Sequence, residues 1–124
     1  MSLSITRGNY IHVTVLICVG EIKDPLDCLD FQDEVRQLIG LGRVNILLNL
    51  TGTTYINSSG LGSIIAALSK VRRVDGELKV CGLSEKVRKL LQTTKLLGPV
   101  FEDFSSEEKA IQSFPSPIDK STIH

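Results

Sequence analysis

The chain is predicted to fold as an α/β domain, one sheet covered by helices, on three observations. Apolar residues alternate over 10–19 and run almost unbroken over 44–50, as they do in strands. Over 26–41 and 58–73 the apolar spacing changes to that of a helix. The signals keep alternating to the end of the chain, β-α-β-α-β-α-β-α, the order that lays helices across a sheet. A length of 124 residues suits one compact domain rather than two.

In the first strand Ile11, Val13, Val15, Ile17 and Val19 share a face rich in β-branched residues. Tyr10, His12, Thr14, Leu16 and Cys18 share the other face, whose polar half predicts only partial cover. Residues 1–7 are expected to add a short edge strand that turns at Gly8-Asn9. The first helix begins at Asp24-Pro25, since proline is tolerated in a first turn. It directs Cys28, Phe31, Val35, Leu38 and Ile39 inward, with Asp27, Asp30, Asp33 and Glu34 on the opposite side. Gly40 and Gly42 supply its left-handed exit. The run over 44–50 reads as a strand buried on both faces.

A second helix, over 58–73, buries Leu61, Ile64, Ile65, Leu68 and Val71 and ends at Asp75-Gly76. Residues 78–82 form a short strand, and Ser84 caps a third helix that carries Val87, Leu90 and Leu91 and stops before Gly98-Pro99. An edge strand is expected over 100–104. Ser105-Ser106-Glu107-Glu108 has the spacing of a capping box ahead of Ala110, Ile111 and Phe114. The domain is expected to span 1–114, with 115–124 as a disordered tail.

Composition removes several classes of function. Hydrophobic residues at 42% and charged residues at 23% match a globular domain and not a disordered segment. Fourteen basic residues balance fourteen acidic ones, so nucleic acid is not expected as a partner. No apolar run is long enough to span a membrane, and Met1-Ser2-Leu3-Ser4 does not look like a secretory signal, so a cytoplasmic location is expected. Cys18, Cys28 and Cys81 lack the spacing of zinc ligands or of a disulfide framework and are expected to be inert thiols. The only histidines are His12 and His124, so no metal site is expected.

Chemistry concentrates in the segment 53–62. A buried strand leads into a loop, the loop ends in Ser58-Ser59, and a helix follows at once. In such sheets ligands and partners act beyond the carboxyl ends of strands. A helix start offers free backbone N–H groups and the positive end of the dipole, so an anion on Ser58 is favoured there. Gly60 and Gly62 remove side chains beside it and let another backbone come close. The plainer alternative has Ser58 or Ser59 capping the helix and the glycines serving packing. Two glycines in a first turn cost about 1 kcal/mol each relative to alanine, and a local rule broken this way often marks a functional site.

Gly60-Leu61-Gly62 is only a fragment of a dinucleotide fingerprint, because Ile65 stands where the third glycine belongs. Neither an ATPase phosphate loop nor a G-x-S-x-G elbow is present. His12 is the sole base available to a serine nucleophile, so an enzyme or small nucleotide binder is the least favoured class. Basic residues crowd 70–95 and acidic ones 21–36, a pattern suited to docking another protein.

Gly20-Glu21-Ile22, Ile46-Leu47-Leu48-Asn49-Leu50, Tyr55-Ile56-Asn57-Ser58-Ser59-Gly60-Leu61-Gly62 and Gly76-Glu77-Leu78-Lys79-Val80-Cys81 together resemble the STAS domain, as in bacterial anti-sigma-factor antagonists. The resemblance covers residues 3–114 and is most specific in the serine-glycine segment. It implies a mixed sheet of four to five strands with about four helices. It implies a regulator with no catalysis and no cofactor of its own, whose partner is an anti-sigma factor that is also a serine kinase. The kinase, supplying ATP and magnesium, would phosphorylate Ser58 and so weaken the complex, and a serine phosphatase would restore it. The partner surface implied includes Glu21, Lys23 and Asp24 in one loop, with Asn57, Ser59, Gly60 and Gly62 around the second helix start.

Two positions depart from the family's pattern. Asn57 stands where an aspartate commonly precedes the acceptor serine, so hydrogen bonding is kept and charge is lost. Lys23 precedes Asp24 where an acidic residue is common, and its ammonium could favour a phosphate on Ser58. The first departure gives weight to a second reading, a constitutive STAS interaction subunit without a phospho-switch, such as a stress-signalling scaffold or a lipid-transport accessory protein.

Overall fold

The structure, a computed structural model, describes residues 3–115. Its elements are β1 (Ser4–Asn9), β2 (Thr14–Val19), α1 (Pro25–Gly40), β3 (Asn45–Gly52), α2 (Ser58–Arg73), β4 (Glu77–Cys81), α3 (Glu85–Thr93), β5 (Asp103–Phe104) and α4 (Glu107–Gln112). The strands lie side by side in chain order, β1 antiparallel to β2 and every later pair parallel. The α/β class, with a mixed sheet of five strands and four helices, is therefore as expected.

The near-continuous apolar run of β3 explains its central place. Successive residues of a strand point to opposite faces. Ile46, Leu48 and Leu50 enter the larger core beside Leu16, Cys18, Leu78 and Val80, roofed by Phe31 and Val35 of α1, Leu68 of α2 and Val87 of α3. Leu47 enters a smaller core with Val13, Val15 and Cys81, under Ala110 of α4 and the following Phe114. Three helices thus cover one face and α4 covers part of the other.

Several local expectations are corrected. The turn between the first strands lies over 10–13, closed by the Tyr10 amide donating to the Val13 carbonyl at 2.8 Å, and not at Gly8-Asn9. Gly8 pairs with Val15 and Asn9 with Thr14, inside the ladder. The Arg43 guanidinium, distant in sequence, donates to the carbonyls of Tyr10, Ile11 and Val13 and fixes that turn. Of the face expected to be partly covered, His12 is half-buried and Tyr10 exposed in the turn before the strand, while Thr14, Leu16 and Cys18 in β2 are buried at 0% exposure. Thr14 tolerates this because its hydroxyl accepts from Arg43 Nε at 2.8 Å and donates to Asn9 Oδ1.

Asp27, expected on the outer side of α1, is buried, and its Oδ1 accepts from the Leu3 amide at 3.1 Å. Of the two glycines expected to supply the left-handed exit only Gly42 does, with a φ of +77° that disfavours other residues, while Gly40 is the last residue of the helix itself. The last edge strand shrinks to Asp103–Phe104. Ahead of it the amides of Val100 and Phe101 fold back to the Leu96 carbonyl. Ser106, not Ser105, caps α4, accepting from the Lys109 amide at 3.2 Å. Residues 116–124, most of the expected tail, lie outside the described residues.

Candidate functional site

The site is built where β2 and β3 end. Their loops, 20–24 and 53–57, continue side by side as the strands do, with Gly20 N donating to Gly52 O at 3.0 Å and Ile22 N to Tyr55 O at 3.1 Å. The Asn57 amide returns to the Ile22 carbonyl at 3.3 Å, and the buried Thr53 hydroxyl donates to the Cys18 carbonyl at 3.0 Å. These bonds tie the segment after β3 to β2 and its loop, so the start of α2 is presented on a fixed base.

Asn57 is the N-cap of α2, in place of the serine cap expected as the plainer alternative. Its Oδ1 accepts from the Gly60 amide at 2.8 Å, and its Nδ2 donates to the Lys23 carbonyl at 3.0 Å. Asparagine ranks with serine as a cap, so this role was open to inspection in the sequence. Gly60 is buried, and a Cβ placed on it would come within 2.1 Å of the Ile22 carbonyl oxygen. The backbone that Gly60 admits is therefore that of this chain's own loop. Gly62 differs, being exposed, with nothing within 4 Å of a Cβ placed there.

Capping by Asn57 leaves both serines uncommitted. Ser58 and Ser59 occupy the first two helical positions and are exposed. No acceptor among the described residues meets their backbone amides, so the helix start keeps two spare donors beside the Ser58 hydroxyl. Glu21 and Lys23 in the neighbouring loop pair with each other at 3.2 Å, and the carboxylate raises the Lys23 pKa from its ordinary value. Asp24 is exposed at the start of α1 without a side-chain cap bond. Lys23 is thus already engaged.

The cations that share a groove with Ser58 come from α3. Tyr55, Ile56, Asn57 and Ser58 form one wall, and Lys86, Lys89, Leu90 and Thr93 the other, around about 610 Å³. Sequence reasoning counted Lys86 and Lys89 only as part of a basic run; their three-residue spacing on a capped helix was the available signal. Among the described residues no histidine or carboxylate lines that groove. His12 lies in the turn before β2, at the opposite end of the strand from the loops that carry Ser58. It is therefore not placed to act as a base for that hydroxyl. Among the described residues no group of three or more His, Cys, Asp or Glu side chains is placed to hold a metal.

A family model described as the STAS domain matches residues 12–110, most of the chain and all of this site. The chain belongs to the STAS family. BtrV of Bordetella bronchiseptica, a candidate anti-sigma factor antagonist, is 24% identical over 104 residues, which span 84% of this chain and 89% of that protein. A candidate anti-sigma factor antagonist from Thermotoga maritima superposes with a TM-score of 0.79 at 21% identity, over 87% of this chain and 92% of that chain. The Bacillus cell fate determinant SpoIIAA in its phosphorylated form superposes with a TM-score of 0.69 at 22% identity, over 88% of this chain and 97% of that one. At these identities the two superpositions show a shared fold.

Proposed function

We propose that this STAS domain is an anti-sigma factor antagonist that works by binding an anti-sigma factor and is switched off by phosphorylation of Ser58. The observation that carries the proposal is an exposed hydroxyl at the first position of α2, beside two unused amides and in a groove that no histidine or carboxylate among the described residues lines. Such a hydroxyl is a substrate for another protein's chemistry. Names given to its relatives, an anti-sigma factor antagonist and a phosphorylated cell fate determinant, support the same class.

In the transfer, Ser58 Oγ forms a bond to the γ-phosphorus of ATP held by the anti-sigma kinase with magnesium, and the bond to the ADP oxygen breaks. The hydroxyl proton leaves to a base on the kinase. The product gains about −1.5 to −2 charge and three acceptor oxygens, and the helix start favours it by about 0.3–1 kcal/mol without refolding the domain. On a docked surface matched to a hydroxyl, the same group brings bulk and desolvation. A loss of only about 1.4 kcal/mol weakens a complex tenfold. A serine phosphatase resets the switch.

The partner surface on this reading is the exposed side of α2 at Ser59 and Gly62, with Glu21, Lys23 and Asp24 of the adjoining loop; Asn57 and Gly60 set the relation between the two. Incubation with the cognate kinase and ATP, followed by mass spectrometry, should place one phosphate on Ser58. Its repeated absence from Ser58, with the kinase active on a control, would leave the constitutive interaction module in its place.

A further inference from the structure

The groove beside Ser58 is unevenly charged. Lys86 and Lys89 stand three residues apart on α3, so their ammonium groups rise from the same side of that helix. Both line the groove that Ser58 lines, and none of the other lining residues is acidic. The ion pairs among the described residues engage Arg7, Lys23, Arg36, Arg72 and Arg88, and neither groove lysine. Two cations free of ion pairs among the described residues therefore line the groove of an uncharged hydroxyl, with Glu85 one turn before Lys89 on α3 and Glu21, Lys23 and Asp24 in the loop on the other side of Asn57. Both lysines are exposed, and α3 is seated on the core by Val87 and Leu90 instead.

We propose that this groove receives the phosphoryl group once Ser58 carries it, with Lys86 and Lys89 holding the dianion on the chain itself. The proposal rests on Ser58 as the acceptor and adds the residues that receive the new charge. Two ammonium groups match the charge of one phosphomonoester. The amides of Ser58 and Ser59 offer donors from the other wall, so the phosphate is met from two elements. Each lysine contributes little alone in so open a groove. Together they favour the dianion over the monoanion and lower the phosphate's second ionisation.

The test uses the full chain with phosphoserine incorporated at position 58 during translation, so no kinase is needed. Phosphorus NMR follows its second ionisation, which lies near pH ~6 for free phosphoserine. It should be lower in the parent protein and rise by about half a unit in Lys86→Ala/Lys89→Ala, the size expected of screened charges across an open groove. Lys109→Ala, altering an exposed cation on α4 across the sheet, should leave the titration unchanged. Superposable curves for the parent and the double variant overturn the proposal, as does an equal shift in the Lys109 variant. Both alanines occupy exposed helical positions and favour the helix. A chain that the kinase never modifies would defeat the Ser58 switch in the mass-spectrometric test and leave this titration to be judged separately.

Discussion

Asn57 joins two loops with one amide, accepting from Gly60 to start α2 and donating to Lys23 to hold the loop before α1. An aspartate could do only the first, because a carboxylate accepts and does not donate. Asparagine rather than aspartate at this position therefore exchanges a charge for a tie between loops. Asn57→Ala should lower stability in urea by about 1–2 kcal/mol, losing cap and tie together. Asn57→Asp should lose less, since the cap stays and a negative charge suits a helix start. Equal losses in the two variants would contradict this division of roles.

Buried thiols give a second prediction at this scale. Burial, with Glu34 adding to it, pushes the Cys18 thiol up to about 12, and burial with Glu107 pushes Cys81 up to about 11, both from an ordinary 9.0. Between those values the unfolded chain sheds protons that the folded chain keeps, so unfolding is favoured as pH rises. The contribution is intact below about pH 9 and is lost progressively towards about pH 11–12. The urea midpoint should fall over that range, and more gently in Cys18→Ala/Cys81→Ala. Parallel slopes in the two proteins would show that the thiols carry none of it.

Among the elements, α2 holds two glycines that look alike in the sequence and act differently. Gly60 lies under the Ile22 carbonyl, so Gly60→Ala should displace the loop or strain it, costing about 1–3 kcal/mol. Gly62 faces open space, so Gly62→Ala should stabilise the isolated domain by about 0.5–1 kcal/mol and yet weaken binding to the anti-sigma factor. Thermal unfolding and titration calorimetry on the same samples check both halves. Stabilisation with unchanged binding would remove Gly62 from the partner surface. The bounds of α2 were legible because a regular apolar stripe runs between a loop and Asp75-Gly76. The turn at 10–13 was not, because Arg43, far along the chain, outweighs the local turn chemistry of Gly8-Asn9. Asp27 likewise gained a burial that helical spacing alone could not foresee, since its partner is the Leu3 amide.

For the whole molecule, the two-faced core predicts that a charge added at Ser58 leaves the fold unchanged. β3 is packed from both sides, and the loops it feeds are tied to those of β2, so the helix start is held whether or not the hydroxyl is modified. The alternation of strands and helices, and the place of the serine-glycine segment beyond the carboxyl end of β3, were legible from periodicity; the order of the strands in the sheet was not read from the sequence. The lysine wall was not, since it needed α3 to be laid across the sheet beside α2. The most direct measurement is the affinity of the cognate anti-sigma factor for the unmodified chain and for the chain carrying phosphate on Ser58. A loss of about tenfold or more on phosphorylation is expected, matching about 1.4 kcal/mol or more, with Ser58→Ala binding like the unmodified protein. Equal affinities for the two forms would contradict the switch.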